Sequence, residues 1–151
     1  MTSVIVLDTG PLGIITNPNQ TPDVVACTAW LRRMLASGAR VVVPEIADYE
    51  LRRELLRAGK QQGLRRLDTA GRTLDYVPLT TAAMRRAAEL WAELRRQGLP
   101  TAAVRAIDAD VILAAQALLT SVAGDTLVVA TTNVAHLNRI VPAQRWQDIV
   151  L

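Results

Sequence analysis

Ser3-Val4-Ile5-Val6-Leu7-Asp8-Thr9-Gly10-Pro11 opens the chain with an unbroken apolar run that stops at an aspartate and a turn. A run this short, with no polar alternation, predicts a fully buried strand, and Asp8-Thr9-Gly10-Pro11 predicts the turn that ends it. The pattern returns at Arg40-Val41-Val42-Val43-Pro44 and again from Thr126 to Ala130. Strands apolar on both faces belong to a parallel sheet covered by helices on two sides.

Between these strands the spacing predicts helices. Val24, Val25, Cys27, Ala29, Leu31 and Leu35 follow Asp23 and lead to Ser37-Gly38, a C-terminal glycine signal. Glu45 to Ala58 reads as a helix with Ile46, Tyr49, Leu51, Leu55 and Leu56 on its apolar side, Arg52, Arg53 and Arg57 outside, and Gly59 as its stop. A second basic helical piece spans Leu64 to Thr69, and Leu74 to Leu79 reads as a third strand. Thr80 suits the N-cap of an amphipathic helix from Ala82 to Gln97 that stops at Gly98 and Pro100. A largely apolar helix from about Ile107 to Leu119 follows, then the fourth strand, broken by Thr131-Thr132-Asn133, and a fifth over Gln147 to Leu151. This alternation, without repeats or a linker, predicts one three-layer α/β domain over residues 1–151 with a central, largely parallel sheet of four to five strands.

Composition narrows the class. A chain of 151 residues that is 50% hydrophobic and 21% charged holds one sizeable core. With no Phe and 3% aromatics, that core is aliphatic. Cys27 is alone, which excludes a disulfide scaffold and a zinc finger and suits a reducing, cytoplasmic setting. No apolar stretch approaches the ~18 residues of a spanning helix, so no membrane role is expected. The net charge of +3 includes seventeen basic residues, of which all but Lys60 are Arg, and guanidinium forks suit phosphates.

In parallel α/β sheets the site lies beyond the C-terminal strand ends. Asp8, Glu45 with Glu50, Asp108 with Asp110, and Thr131 with Asn133 fall at such places. The only histidine, His136, has no Ser or Cys partner, and no Gly-rich phosphate loop is present, so acyl transfer and nucleotide-cofactor chemistry rank low. Carboxylates converging on one cleft repel one another unless a cation sits among them, and an all-oxygen set suits Mg²⁺ or Mn²⁺. Such a cation activates water and stabilises phosphodiester charge, while Arg52, Arg53 and Arg57 are candidates to hold a nucleic-acid backbone. Plainer roles stand beside these. Asp8 also suits an Asx-turn or helix cap, Asp108 and Asp110 a helix start, Glu50 and Glu54 surface ion pairs, and His136 structural packing.

The order of these signals resembles that of the PIN-domain family. Val4-Ile5-Val6-Leu7-Asp8-Thr9 is similar to its opening strand and Asp, and Glu50 in Asp48-Tyr49-Glu50-Leu51 to its helix-borne second acid. Asp110-Val111-Ile112-Leu113-Ala114-Ala115 resembles its Asp-x-x-Ile-Ala-Ala helix, and Val129-Ala130-Thr131-Thr132-Asn133 its closing Thr-x-Asn/Asp turn. The resemblance implies a metal-dependent endoribonuclease in which Asp8, Glu50 and Asp110 ligate Mg²⁺ or Mn²⁺, with Asn133 completing the catalytic set. Thr9, Thr131, Asp108 and Glu54 are then supporting candidates. It further implies the toxin half of a VapBC-type toxin–antitoxin pair, a small antitoxin partner and a homodimer.

The register favours Asp110 over Asp108, since residues two apart on a helix diverge by about 200°, which leaves Asp108 as the N-cap. Two departures stand out: Gly10 where Asn or Ser often follows Asp-Thr, and Asn133 where a fourth acid is often found. They favour a second reading, a catalytically inactive PIN-like module that binds RNA or a partner. A third, a haloacid-dehalogenase-like phosphatase, needs a second Asp where Gly10 stands and is weak.

Overall fold

A computed structural model of the chain describes residues 1–98 and 104–151. The opening strand β1 (Ser3–Leu7) lies at the centre of its sheet and sends alternate side chains to opposite faces. Val4 and Val6 enter one apolar cluster, and Ile5 and Leu7 enter the other. All four are fully buried, the physical reason that this stretch reads as apolar without alternation.

Along the chain, β1 is followed by α1 (Thr9–Thr16), α2 (Pro22–Ala36), β2 (Arg40–Pro44), α3 (Glu45–Arg57), α4 (Gln61–Thr73) and β3 (Asp75–Val77). Then come α5 (Thr81–Arg96), α6 (Val104–Thr120), β4 (Thr126–Thr131), α7 (Val134–Leu137) and β5 (Ala143–Arg145). The sheet order is β3-β2-β1-β4-β5, with every pairing parallel. Helices α5 and α6 cover the Val4/Val6 face, and α1, α2 and α4 cover the Ile5/Leu7 face. The three-layer α/β/α arrangement read from the sequence is therefore present, with five strands among the described residues.

Capping follows local chemistry. Thr80 caps α5 by accepting from the Ala83 N–H, and Thr21 caps α2 ahead of Pro22 in the first turn, where no N–H is needed. The helix α6 is tied to the rest by Gln116, which is buried to 2% exposure. Its amide oxygen accepts from the Ile46 N–H at 3.1 Å, and its amide nitrogen donates to the Val77 carbonyl at 2.9 Å. One side chain thus fixes the start of α3 and the end of β3 against α6.

Several elements differ from the sequence reading. Asp8-Thr9-Gly10-Pro11 starts α1 instead of a free turn: Pro11 falls in the first helical turn, where its missing N–H costs nothing. The fifth strand is Ala143–Arg145, not Gln147 to Leu151. Trp146–Asp148 forms a 3-10 turn instead, because Trp146 packs on Trp30 with ring centroids 5.9 Å apart and the Trp30 indole donates to the Ile149 carbonyl at 3.1 Å. Asp108 is no N-cap, since α6 begins four residues earlier and runs through it. The Pro100 stop lies outside the described residues. Tyr49 and Leu56 lie outward, because α3 buries Ala47 and packs Leu51 and Leu55 against the core, and Tyr49 sits about 200° from its neighbours on that stripe.

Candidate active site

The chain passes outward through β1, β2 and β3, then returns to the far side of β1 as β4. That reversal makes a switch point between the C-terminal ends of β1 and β4, where no helix crosses and side chains from both strands meet. Asp8 ends β1 and Thr131 ends β4.

Asp8 is held from two sides. One carboxylate oxygen accepts from the Thr9 N–H at 2.7 Å, as the N-cap of α1, and the other accepts from the Thr131 hydroxyl at 2.8 Å. The cap role and the site role are therefore compatible. The Thr131 side chain is fully buried, and its oxygen also accepts from the Asn133 N–H at 2.9 Å, which fixes the β4–α7 turn. Thr9 reaches the other way: its hydroxyl donates to Glu50 on α3 at 2.9 Å. A single residue thus joins two carboxylates that are 42 positions apart in sequence.

Asp110 on α6 completes the convergence. Its carboxyl is pushed up to about 6, first by burial, then by the negative charges of Asp8 and Glu50, with His136 pulling in the opposite direction. Burial also raises Asp8, against the two hydrogen bonds that favour its charged form. His136, half-buried on α7, is thus an electrostatic neighbour of Asp110 and more than a packing residue. No local spacing signals this, because α7 is a four-residue helix without periodicity.

The donor chemistry fits a hard divalent cation: oxygen ligands only, and mutual repulsion that a cation relieves. Among the described residues, no three His, Cys, Asp or Glu side chains are grouped closely enough to hold a metal ion as they stand. The acids converge without closing into a ligand cluster.

A cleft of about 460 Å³ lies beside Glu50, bounded among the described residues by Tyr49 and Arg53 of α3 and by Asp108 and Ile112 of α6. Asp108, exposed, therefore lines this cleft together with Glu50, whose charge also acts on Asp110. Arg53 stands 3.9 Å from Glu50 and stacks over Tyr49, 5.2 Å from the ring centroid. Glu54 pairs with Arg57 on the exposed side of α3 at 2.9 Å. Arg52 is bound to Asp48 and Asp68, and Tyr76 donates to the same Asp48. Of the three candidate arginines, Arg53 is the one at the cleft. Cys27 takes no part: it is fully buried in the core and its thiol is pushed up to about 12, chiefly by burial.

The spacing of these elements is also a family's. Residues 5–136 match the family model described as the PIN domain. The chain belongs to the PIN-domain family. Its fold is shared with VapBC2 from Rickettsia felis, solved bound to a DNA fragment from its promoter, at a TM-score of 0.72 and 20% identity over 95% of this chain and 98% of that one. FitAcB from Neisseria gonorrhoeae gives 0.68 and 19% over 96% and 99%, and VapBC-1 from nontypeable Haemophilus influenzae 0.67 and 18% over 96% and 99%. Comparison with curated proteins gives no match. Within this PIN domain, Gly10 has a local cause: a Cβ there would stand 2.7 Å from the Thr132 Oγ1 and 3.0 Å from its Cγ2. A larger residue after Asp-Thr meets the exposed side chain of Thr132, which must shift to admit it; Thr132 lies one position past the threonine that holds Asp8.

Proposed function

We propose that this PIN domain, residues 1–151 acting as one unit, is an endoribonuclease that uses Mg²⁺ or Mn²⁺ to hydrolyse RNA phosphodiester bonds. The observation that carries the reading is the charge convergence at the switch point, where Asp8 and Glu50 both disfavour ionisation of Asp110. Buried like charges are costly, and a fold that tolerates them at its switch point is suited to a cation and an anionic substrate.

Asp8, Glu50 and Asp110 would hold the cation, and Asn133 would complete the catalytic set from the β4–α7 turn. When bound, the cation supplies an activated water and stabilises charge on the phosphodiester. The chain's own contribution is preorganisation. Thr131 and the Thr9 N–H orient Asp8, the Thr9 hydroxyl orients Glu50, and Gln116 fixes the helix that carries Glu50 against the one that carries Asp110. Asp8 and Glu50 are thereby held in place before substrate arrives.

The toxin half of a VapBC-type pair is the role we infer, with a small antitoxin as partner, a homodimer as the assembly and the cytoplasm as its setting. The structural resemblance to VapBC and FitAcB structures supports it. Among the described residues no helix is long and apolar enough to cross a membrane.

Purified protein is expected to cleave single-stranded or structured RNA with Mg²⁺ or Mn²⁺, and to stop with chelator or with Asp8→Asn. Cleavage that survives both changes overturns the mechanism. The acids' failure to close into a ligand cluster favours one second reading, an inactive RNA-binding or partner-regulated module. That module would retain RNA without forming product.

A further inference from the structure

The cleft beside Glu50 contains an aromatic ring that neither the core nor the acid cluster uses. Tyr49 is 54% exposed, and its ring lies on the wall of the cleft beside Glu50. Its neighbour one helical turn on, Arg53, lies over the ring at 5.2 Å from the centroid, and so is held within the cleft. The same guanidinium is 3.9 Å from Glu50, close enough to feel its charge but beyond hydrogen-bond distance. Across the cleft stand Asp108 and Ile112 of α6, and the volume of about 460 Å³ falls in the ~300–1,000 Å³ range of ligand clefts.

A ring beside a guanidinium, with an acid of the cluster as the next neighbour, matches single-stranded RNA: bases stack on aromatic faces and phosphates take arginine forks. What favours a nucleotide is the pairing itself: the Tyr49 ring offers a stacking face, and Arg53, the cation of this lining among the described residues, lies over it in a cleft shared with the two acids Glu50 and Asp108. We propose that Tyr49 and Arg53 form a subsite for the nucleotide adjacent to the phosphate cut at Asp8, Glu50 and Asp110. The ring stacks on its base, and the guanidinium contacts its phosphate and offsets the repulsion of the nearby carboxylates. The assignment of that phosphate rests on the ribonuclease reading above; the ring and guanidinium pair does not.

Binding of a fluorescent single-stranded oligoribonucleotide, followed by anisotropy, and its cleavage with Mn²⁺ test the subsite in wild type, Tyr49→Phe, Tyr49→Ala and Arg53→Gln. Tyr49→Ala is expected to weaken binding and raise KM roughly ten- to hundredfold, the range base stacking supplies, with kcat little changed. Tyr49→Phe keeps the ring and is expected to match wild type, while Arg53→Gln weakens binding and flattens its salt dependence. Removing the base at one position of the oligonucleotide should abolish the difference between wild type and Tyr49→Ala. Tyr49-dependent binding without cleavage supports the subsite and overturns the ribonuclease reading. Cleavage with the same KM in Tyr49→Ala overturns the subsite alone, as does an effect of that variant on a protein partner with none on RNA. A wild type that neither binds nor cuts RNA overturns both.

Discussion

Thr131→Val removes one oxygen from a fully buried position and keeps the shape. That oxygen serves two partners, donating to Asp8 at 2.8 Å and accepting from the Asn133 N–H at 2.9 Å. Losing a hydrogen bond to a charged group costs about 1.5–3 kcal/mol, and leaving a backbone N–H without its acceptor costs about 1 kcal/mol more. The sum is about 2.5–4 kcal/mol at neutral pH, or a fall in Tm of about 5–16 °C for a chain of this size. The loss should depend on pH with a definite sign. Burial raises the Asp8 pKa and the Thr131 bond, which favours the ionised form, opposes that rise, so the bond's stabilisation is present above the folded pKa and fades as pH falls through it. Urea unfolding of wild type, Thr131→Val and Thr131→Ser at pH 7 and pH 4 measures both effects. Thr131→Ser, which keeps the hydroxyl, should lie within about 1 kcal/mol of wild type. A Thr131→Val protein as stable as wild type at pH 7, or one whose deficit grows in acid, would refute the reasoning.

Gly10→Ser should destabilise by about 1–3 kcal/mol through overlap with Thr132, and Thr132→Gly in the same chain should recover part of the loss in thermal melts. Gln116→Leu leaves the Ile46 N–H and the Val77 carbonyl without their partner, and urea midpoints should show a loss of about 2–4 kcal/mol. Asp110 has a folded pKa raised to about 6, so the stability tied to its protonated form is fully present below the unfolded value of about 4 and is lost as pH rises through 6. Without divalent metal, Asp110→Asn should therefore be more stable than wild type at pH 7, on the order of 1–2 kcal/mol, and no more stable at pH 4; equal urea midpoints at both pH values would contradict it.

The parts of the fold legible in sequence were those governed by burial on both faces. Val4 to Leu7, Val41 to Val43 and the Thr126 strand are apolar without alternation because helices cover both sides of the sheet. Short elements fixed by tertiary packing were not legible. The apolar residues of Gln147 to Leu151 resemble a strand, but Ile149 is buried against Trp30 and its backbone bonds an indole. In the site, the strand-end rule points to Asp8, Glu45 with Glu50, Asp108 with Asp110, and Thr131 with Asn133, and the resemblance to the PIN-domain motifs chooses Glu50 and Asp110 among them. The Thr9 hydroxyl joins the start of α1 to α3 across 41 residues, a contact no local spacing encodes. The apolar stripe of α3 predicts Tyr49 in the core because a helical stripe fixes its phase only to within a residue or so. Its i, i+4 spacing from Arg53 was the signal available, since that spacing brings a ring and a guanidinium together on an exposed helix face.

The claim that Asp8, Glu50 and Asp110 act as one cation site is tested most directly by calorimetric titration of Mn²⁺ into wild type, Asp8→Asn, Glu50→Gln and Asp110→Asn. The account predicts saturable binding to wild type and at least roughly tenfold weaker binding in each variant, because each removes one of three oxygen donors. Unchanged Mn²⁺ affinity in all three variants, or no binding to a folded wild type, would contradict it.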